Sequence, residues 1–171
     1  MDREHELDEL ERALDGIMFR VVRAGGWPEV EALLRQIRRR AIFALGPERP
    51  RVAIIGASTD RKKYGNKAIR AFQRAGFEVF PVNPNAECVE GLRAYASLDE
   101  LPVERLDRVS FYVPPEVGLP VMDQVARKRV AEVWLNPGSD SPELVARAEA
   151  LGLNVIQACS ILGVGEHPDD V

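Results

Sequence analysis

The stretch "RVAIIGASTDRKKYGNKAI", residues 51–69, joins three kinds of chain in a fixed order. Residues 51–56 form a short continuous apolar run, the pattern of a parallel strand buried on both faces. A turn of small residues follows, Gly56-Ala57-Ser58-Thr59, and then a polar opening to a helix. Strand, small-residue turn and helix start make the layout of a phosphate-binding loop. Gly56 permits the tight turn, Ala57 and Ser58 let backbone N–H groups approach an anion, and Arg61, Lys62 and Lys63 put three cations beside it. Any strand-to-helix turn also needs small residues, so the loop alone names no ligand. The dinucleotide fingerprint is missing. Ser58 and Arg61 stand where its second and third glycines belong, and Asn83-Pro84 stands where an acidic residue would hold a ribose hydroxyl.

Outward from this loop, strands alternate with helices of ten to fifteen residues. The pattern predicts a helix over 65–76 stopped by Gly76, a second strand in "FEVFPVN" (77–83) and a short third strand in "LRAY" (92–95). It continues with a single helical turn in "SLDELP" capped by Ser97, a strand in "DRVSFYVP" (107–114) and a helix over 115–129. A strand in "AEVWLNPG" (131–138), a helix over 141–151 and a last strand in "LNVIQACS" (153–160) complete it. This alternation predicts an α/β fold with a doubly wound parallel sheet. Upstream, Leu7, Leu10, Leu14, Ile17 and Val21 share one helical face, and Val30, Leu33, Leu34, Ile37 and Ala41 share another beyond Gly25-Gly26. Residues 1–45 therefore read as a helical hairpin and 46–50 as a linker, leaving 51–171 as the sheet domain. Apolar faces on the hairpin suit a homodimer or cover for the sheet domain.

The net charge of −4 gives no general reason to expect nucleic acid, and the "RQIRRR" run (35–40) suits a solvated helix end. No apolar run approaches the roughly 20 residues that span a bilayer, and the charged start "MDREHELDEL" is not a signal peptide. Cys88 and Cys159 lack metal-ligand spacing and suggest no disulfide framework, so a reducing cytoplasm is expected and no metal site. The predicted strand ends offer small residues, prolines and neutral hydrogen-bonders. The nearest carboxylates, Asp107, Glu116 and Asp140, read as strand-start or helix-start residues, and neither His5 nor His167 sits at a strand end.

Taken in order, "VAIIGAS", "GFEVFPVNP", "SLDELP", "DRVSFYVPPE", "VWLNPG" and "LGLNVIQACS" resemble the small stand-alone CoA-binding proteins. Their Rossmann-like fold is that of the N-terminal domain of the succinyl-CoA synthetase alpha subunit. The likeness covers residues 50–162, two thirds of the chain. It implies that Gly56, Ala57 and Ser58 receive the phosphates of coenzyme A, with Lys62 and Lys63 holding them. It implies that Asn83 and Pro84 line the nucleotide, and that Val113, Pro114 and Pro115 pack beside the adenosine or the pantetheine. Asn136-Pro137-Gly138, where relatives have Gln-x-Gly, would meet the pantetheine arm. The synthetase's phosphorylated histidine has no counterpart, so the expected function is binding of CoA or an acyl-CoA without catalysis. Two alternatives stand beside it: an NAD(P)-dependent or other nucleotide-dependent enzyme, and a regulatory protein working through residues 1–45. Cys159 is either a small core residue or a partner for the CoA thiol. Tyr64 and Asn66 open the helix beside the loop; for Asn66, capping and ligand contact serve equally well. Tyr112 and Trp134 read as packing.

Overall fold

Val52, Ala53 and Ile54 are wholly buried, which requires cover on both faces of the strand they form. The computed structural model describes residues 49–171; the helical hairpin expected over 1–45 lies outside them. The elements run β1 (Arg51–Ile55), α1 (Tyr64–Arg74), β2 (Glu78–Val82), β3 (Cys88–Val89), β4 (Leu92–Arg93) and a 3-10 turn (Leu98–Glu100). They continue with β5 (Arg105–Phe111), α2 (Pro115–Arg127), β6 (Arg129–Leu135), α3 (Pro142–Ala150), β7 (Val155–Gln157) and α4 (Ser160–Gly163).

Five strands form one sheet in the order β2-β1-β5-β6-β7, and every neighbouring pair is parallel. This is the expected doubly wound α/β sheet. Alternation along the strands sorts the cover. Ala53, Ile55, Val109, Phe111, Val133 and Leu135 join one core with Met122 and Val125 of α2 and Leu144 and Ala148 of α3. Val52 and Ile54 turn to the other face, where α1 packs on β1, β2 and α4. The strand order reverses between β1 and β5, and a crevice opens at such a point outside the carboxyl ends of the strands.

Three expectations are corrected. "LRAY" is not a strand of the main sheet. Leu92–Arg93 pairs antiparallel with Cys88–Val89 in a separate hairpin, and Tyr95 makes one isolated parallel bridge to Val82. Glu90 and Gly91, both with positive φ, form the hairpin's tip, so Cys88 lies on a two-residue strand. The last strand stops at Gln157 instead of reaching Ser160. Ser160 N–H donates to Oδ1 of Asn136 at 2.8 Å, and this tertiary bond draws the chain out of the sheet into α4. Finally, Ser97 precedes the 3-10 turn but makes no cap bond. Glu100 carboxylate accepts the Ala96 N–H at 3.2 Å, and Gln124 Oε1 accepts the Leu98 N–H at 3.0 Å.

Candidate ligand-binding site

Gly56, the first residue past β1, has φ +83°, a conformation that glycine adopts freely. A Cβ there would stand 2.6 Å from the carbonyl oxygen of Tyr112. Gly65, in the first turn of α1, is tighter still: a Cβ would meet the Gly56 carbonyl oxygen at 2.2 Å. The helix start and the loop thus touch backbone to backbone. Between them the chain is shaped by its own polar side chains. Ser58 Oγ accepts the Asp60 N–H at 3.1 Å, and Asp60 Oδ1 accepts the Lys62 N–H at 3.0 Å. Asn83 Nδ2 donates to the Ala57 carbonyl at 2.6 Å, while Asn83 Oδ1 accepts the Asn85 N–H at 2.8 Å.

Helix α1 begins without the carboxylate that opens α2 and α3. Ser141 caps α3 by accepting the Leu144 N–H, and α3 and α2 carry Glu143 and Glu116 in their first turns. The N-cap of α1 is Lys63, which makes no cap bond, and no carboxylate stands in its first turn. The leading N–H groups of any helix lack intrahelical acceptors and carry partial positive charge. Here Tyr64 and Gly65 line the crevice with Lys63 beside them. Such a start suits an anion.

The crevice is a cleft of two adjoining cavities. The larger, about 600 Å³, lies over β1, β5 and β6 and is lined by Pro114, Asn136, Pro137, Gly138, Ser139 and Cys159, with Tyr64 and Gly65 at the loop side. The smaller, about 430 Å³, lies over β1 and β2 and is lined by Ala57, Ser58, Asn83, Pro84 and Asn85, with Val117, Val121 and Gln124 of α2 opposite. Gly56, Lys63, Tyr112 and Val113 belong to both. Eleven of the thirteen residues assigned from the sequence thus meet in one cleft. Lys62 and Pro115 are not among those lining it. Among the described residues, no carboxylate or histidine lines either cavity and no cluster suited to a metal occurs.

Several lining or supporting residues take roles that the sequence does not show. Arg61 is turned from the loop by Glu90 at the hairpin tip, 2.9 Å away. Asn66 is wholly buried and caps no helix. Its Nδ2 donates to the Ser58 carbonyl at 2.8 Å and to Glu90 at 3.0 Å. Asn136 is nearly as buried; it bonds to Ser110, to the Phe111 carbonyl and to Ser160 N–H, so its amide frames the floor of the cleft. Tyr112 follows β5, and its hydroxyl lies 2.8 Å from Ser160 Oγ. Burial holds its phenol well above the ordinary value of 10.0, with hydrogen bonds to Ser160 and Ser110 opposing the rise. Pro168 reaches the larger cavity because the tail folds back on α1: Lys67 Nζ donates to the Pro168 carbonyl, Arg74 donates to that of Asp170, and Val171 is buried. His167 on that tail is exposed and lines neither cavity.

The model of the family described as CoA binding domain matches residues 50–165. The alpha subunit of the ADP-forming acetate–CoA ligase II of Pyrococcus furiosus is 30% identical over 116 residues, covering 61% of this chain and 25% of the subunit. The chain therefore spans about a quarter of that relative. A conserved hypothetical protein of Pyrococcus furiosus is similar in structure at 35% identity and a TM-score of 0.60, covering 67% of this chain and 98% of its own. The dinucleotide-forming acetyl-coenzyme A synthetase 1 of Ca. Korarchaeum cryptofilum matches at 29% identity and a TM-score of 0.55, over 63% of this chain and 25% of the synthetase.

Proposed function

The chain belongs to the CoA binding domain family, and from that premise we propose that its cleft binds coenzyme A or an acyl-CoA without catalysing a reaction on its own. The observation that carries this reading is the start of α1: two glycines in backbone contact, no cap, no carboxylate, and Lys63 at the N-cap, all at the point where strand order reverses. Phosphates fit there. Gly56, Ala57, Ser58 and Lys63 would hold them, with Lys62 adding charge from the rim. The smaller cavity, between Asn83-Pro84 and the apolar face of α2, takes the adenosine. The larger takes the thiol-bearing arm, between Val113-Pro114 and Asn136-Pro137-Gly138, with Pro115 holding the turn from behind.

Among the described residues the lining holds no carboxylate or histidine, which favours carriage or sensing of the ligand over chemistry on it. An NAD(P) enzyme has less support, because both functional groups of the Asn83 amide are spent on backbone and no acid stands near a ribose site. No helix among the described residues is long and apolar enough to cross a membrane. The thiols of Cys88 and Cys159 are free, which favours a cytoplasmic protein. Partners other than CoA are assigned to residues 1–45, as a homodimer interface.

Calorimetric titration with CoA, acetyl-CoA, NAD and NADP, repeated with Gly56→Glu, tests the reading. Micromolar binding of CoA or acetyl-CoA alone, lost in the variant, is the expected outcome. Preference for NAD or NADP would overturn it.

A further inference from the structure

Residues 165–171, "GEHPDDV", are mostly polar, and a segment of that kind stays in place only where it is tied down. Helix α1 ties it. Lys67 and Arg74 stand seven residues apart, on one face of the helix. Lys67 Nζ donates to the Pro168 carbonyl, and Arg74 Nη1 donates to the Asp170 carbonyl at 2.7 Å. The Glu166 carboxylate lies 3.9 Å from the same guanidinium. Within the tail, Glu166 N–H donates to the Ile161 carbonyl at 3.2 Å and Asp170 N–H to that of His167 at 3.0 Å. Pro168 is thereby held at the wall of the larger cavity. It has no N–H and its carbonyl is engaged by Lys67, so it offers the cavity an apolar surface. Lys67 holds a second lining residue as well. Its ammonium lies 5.9 Å from the centre of the exposed Tyr64 ring, within cation–π reach, and Tyr64 lines the same cavity.

Lys67 itself lines neither cavity, yet it contacts two residues that line the larger one, where the CoA reading of the cleft places the thiol-bearing arm. We propose that Lys67 is a positioning residue for that arm: it sets Pro168 and the Tyr64 ring against the ligand without touching the ligand itself. This rests on the CoA reading. The tail thereby joins the binding site, and what it meets is a chain of methylenes and amides, not a phosphate. Neither Tyr64 nor Pro168 lines the smaller cavity, so the adenosine end gains nothing from Lys67. A residue outside the cleft then helps to separate CoA compounds from plain adenine nucleotides. The competing account is one of charge, since Lys67 stands one helical turn beyond Lys63 and its N–H donates to the Lys63 carbonyl at 3.1 Å. A cation acting on the phosphates would favour every phosphorylated ligand alike, with or without the arm.

The test is calorimetry of wild type and Lys67→Met with CoA, acetyl-CoA and adenosine 3′,5′-bisphosphate, which carries phosphates without the arm. Methionine keeps the length of the stem but cannot donate to Pro168. The variant is expected to bind both CoA compounds about tenfold more weakly, the scale of one lost charged hydrogen bond, with bisphosphate affinity unchanged within about twofold. Unchanged affinity for the CoA compounds overturns the proposal. So does an equal loss on the bisphosphate, since Lys67 would then act through its charge on the phosphates. If wild type binds no CoA compound, the reading of the cleft fails and takes this one with it. Should the variant fold poorly, or the bisphosphate bind too weakly to read, hydrogen exchange of wild type decides. The amides of residues 164–171 are expected to exchange more slowly with CoA bound and at the unliganded rate with the bisphosphate. No slowing by CoA, or equal slowing by both, overturns the positioning role.

Discussion

Gly65 shows how much of the site rests on single atoms. Its missing side chain lets the first turn of α1 sit on the Gly56 carbonyl, and the obstructing group is backbone, which cannot rotate aside. Gly65→Ala is expected to lower stability in urea unfolding by about 1–3 kcal/mol, the usual cost of overpacking, and to weaken CoA binding more than tenfold. Gly76→Ala is the control: its φ of +85° brings strain, but nothing stands within 4 Å of the added atom, so about 1 kcal/mol should be lost with binding intact. Tyr112 allows a test by pH. A phenol whose folded pKa is raised above 10.0 contributes stability that is fully present below pH 10 and lost as pH rises through the folded value. The stability difference between wild type and Tyr112→Phe should be constant below pH 10 and shift against wild type above it, measured by unfolding at a series of alkaline pH values. Gly56 and the lysines were legible in the sequence because a tight turn and a basic loop are local features. Gly65, and the roles that Asn66 and Tyr112 take, were not, because their partners, Gly56, Ser58 and Glu90, and Ser160, come to them only through the fold.

At the scale of elements, legibility followed the cover that each element receives. β1 lies inside the sheet, and its continuous apolar run announces burial on both faces; β5 and β6 lie inside it too, though charged residues interrupt their runs, and β2 is an edge strand whose last four residues are buried. The β3–β4 hairpin is two residues against two, too short for any periodicity to show. Yet it delivers Glu90 to the loop, where the carboxylate pairs with Arg61 and receives Asn66. This hairpin holds the loop and also cancels one of its three cations. Glu90→Gln separates those effects, since the amide oxygen can still accept from Asn66 while the charge is gone. The variant should unfold within about 1 kcal/mol of wild type, because the lost ion pair is largely exposed on the Arg61 side. It should bind CoA a few-fold more tightly at low salt, with the gain fading as ionic strength rises. Calorimetry at two salt concentrations reads both effects. Weaker binding at every salt concentration would mean that holding the loop outweighs the charge.

For the whole molecule, the question is whether the cleft needs more than the sheet domain to work. Residues from Pro50 to Val171 form a compact unit, and the cleft draws its lining from Ile55 to Pro168, inside that unit. The sheet itself explains this economy. Its order reverses between β1 and β5, so α1 and α2 stand on either side of the crevice. A fragment of residues 50–171 is therefore expected to unfold cooperatively and to bind CoA with the same Kd as the full chain. CoA at a hundred times that Kd should stabilise both by about 2.7 kcal/mol. The apolar faces read in residues 1–45 predict a different behaviour in assembly. Sedimentation should show the full chain as a dimer and the fragment as a monomer. A fragment that binds CoA as well as the full chain but still dimerises would move the interface onto the sheet domain, where β7 offers an edge. A fragment that folds but loses CoA would make residues 1–49 part of the site.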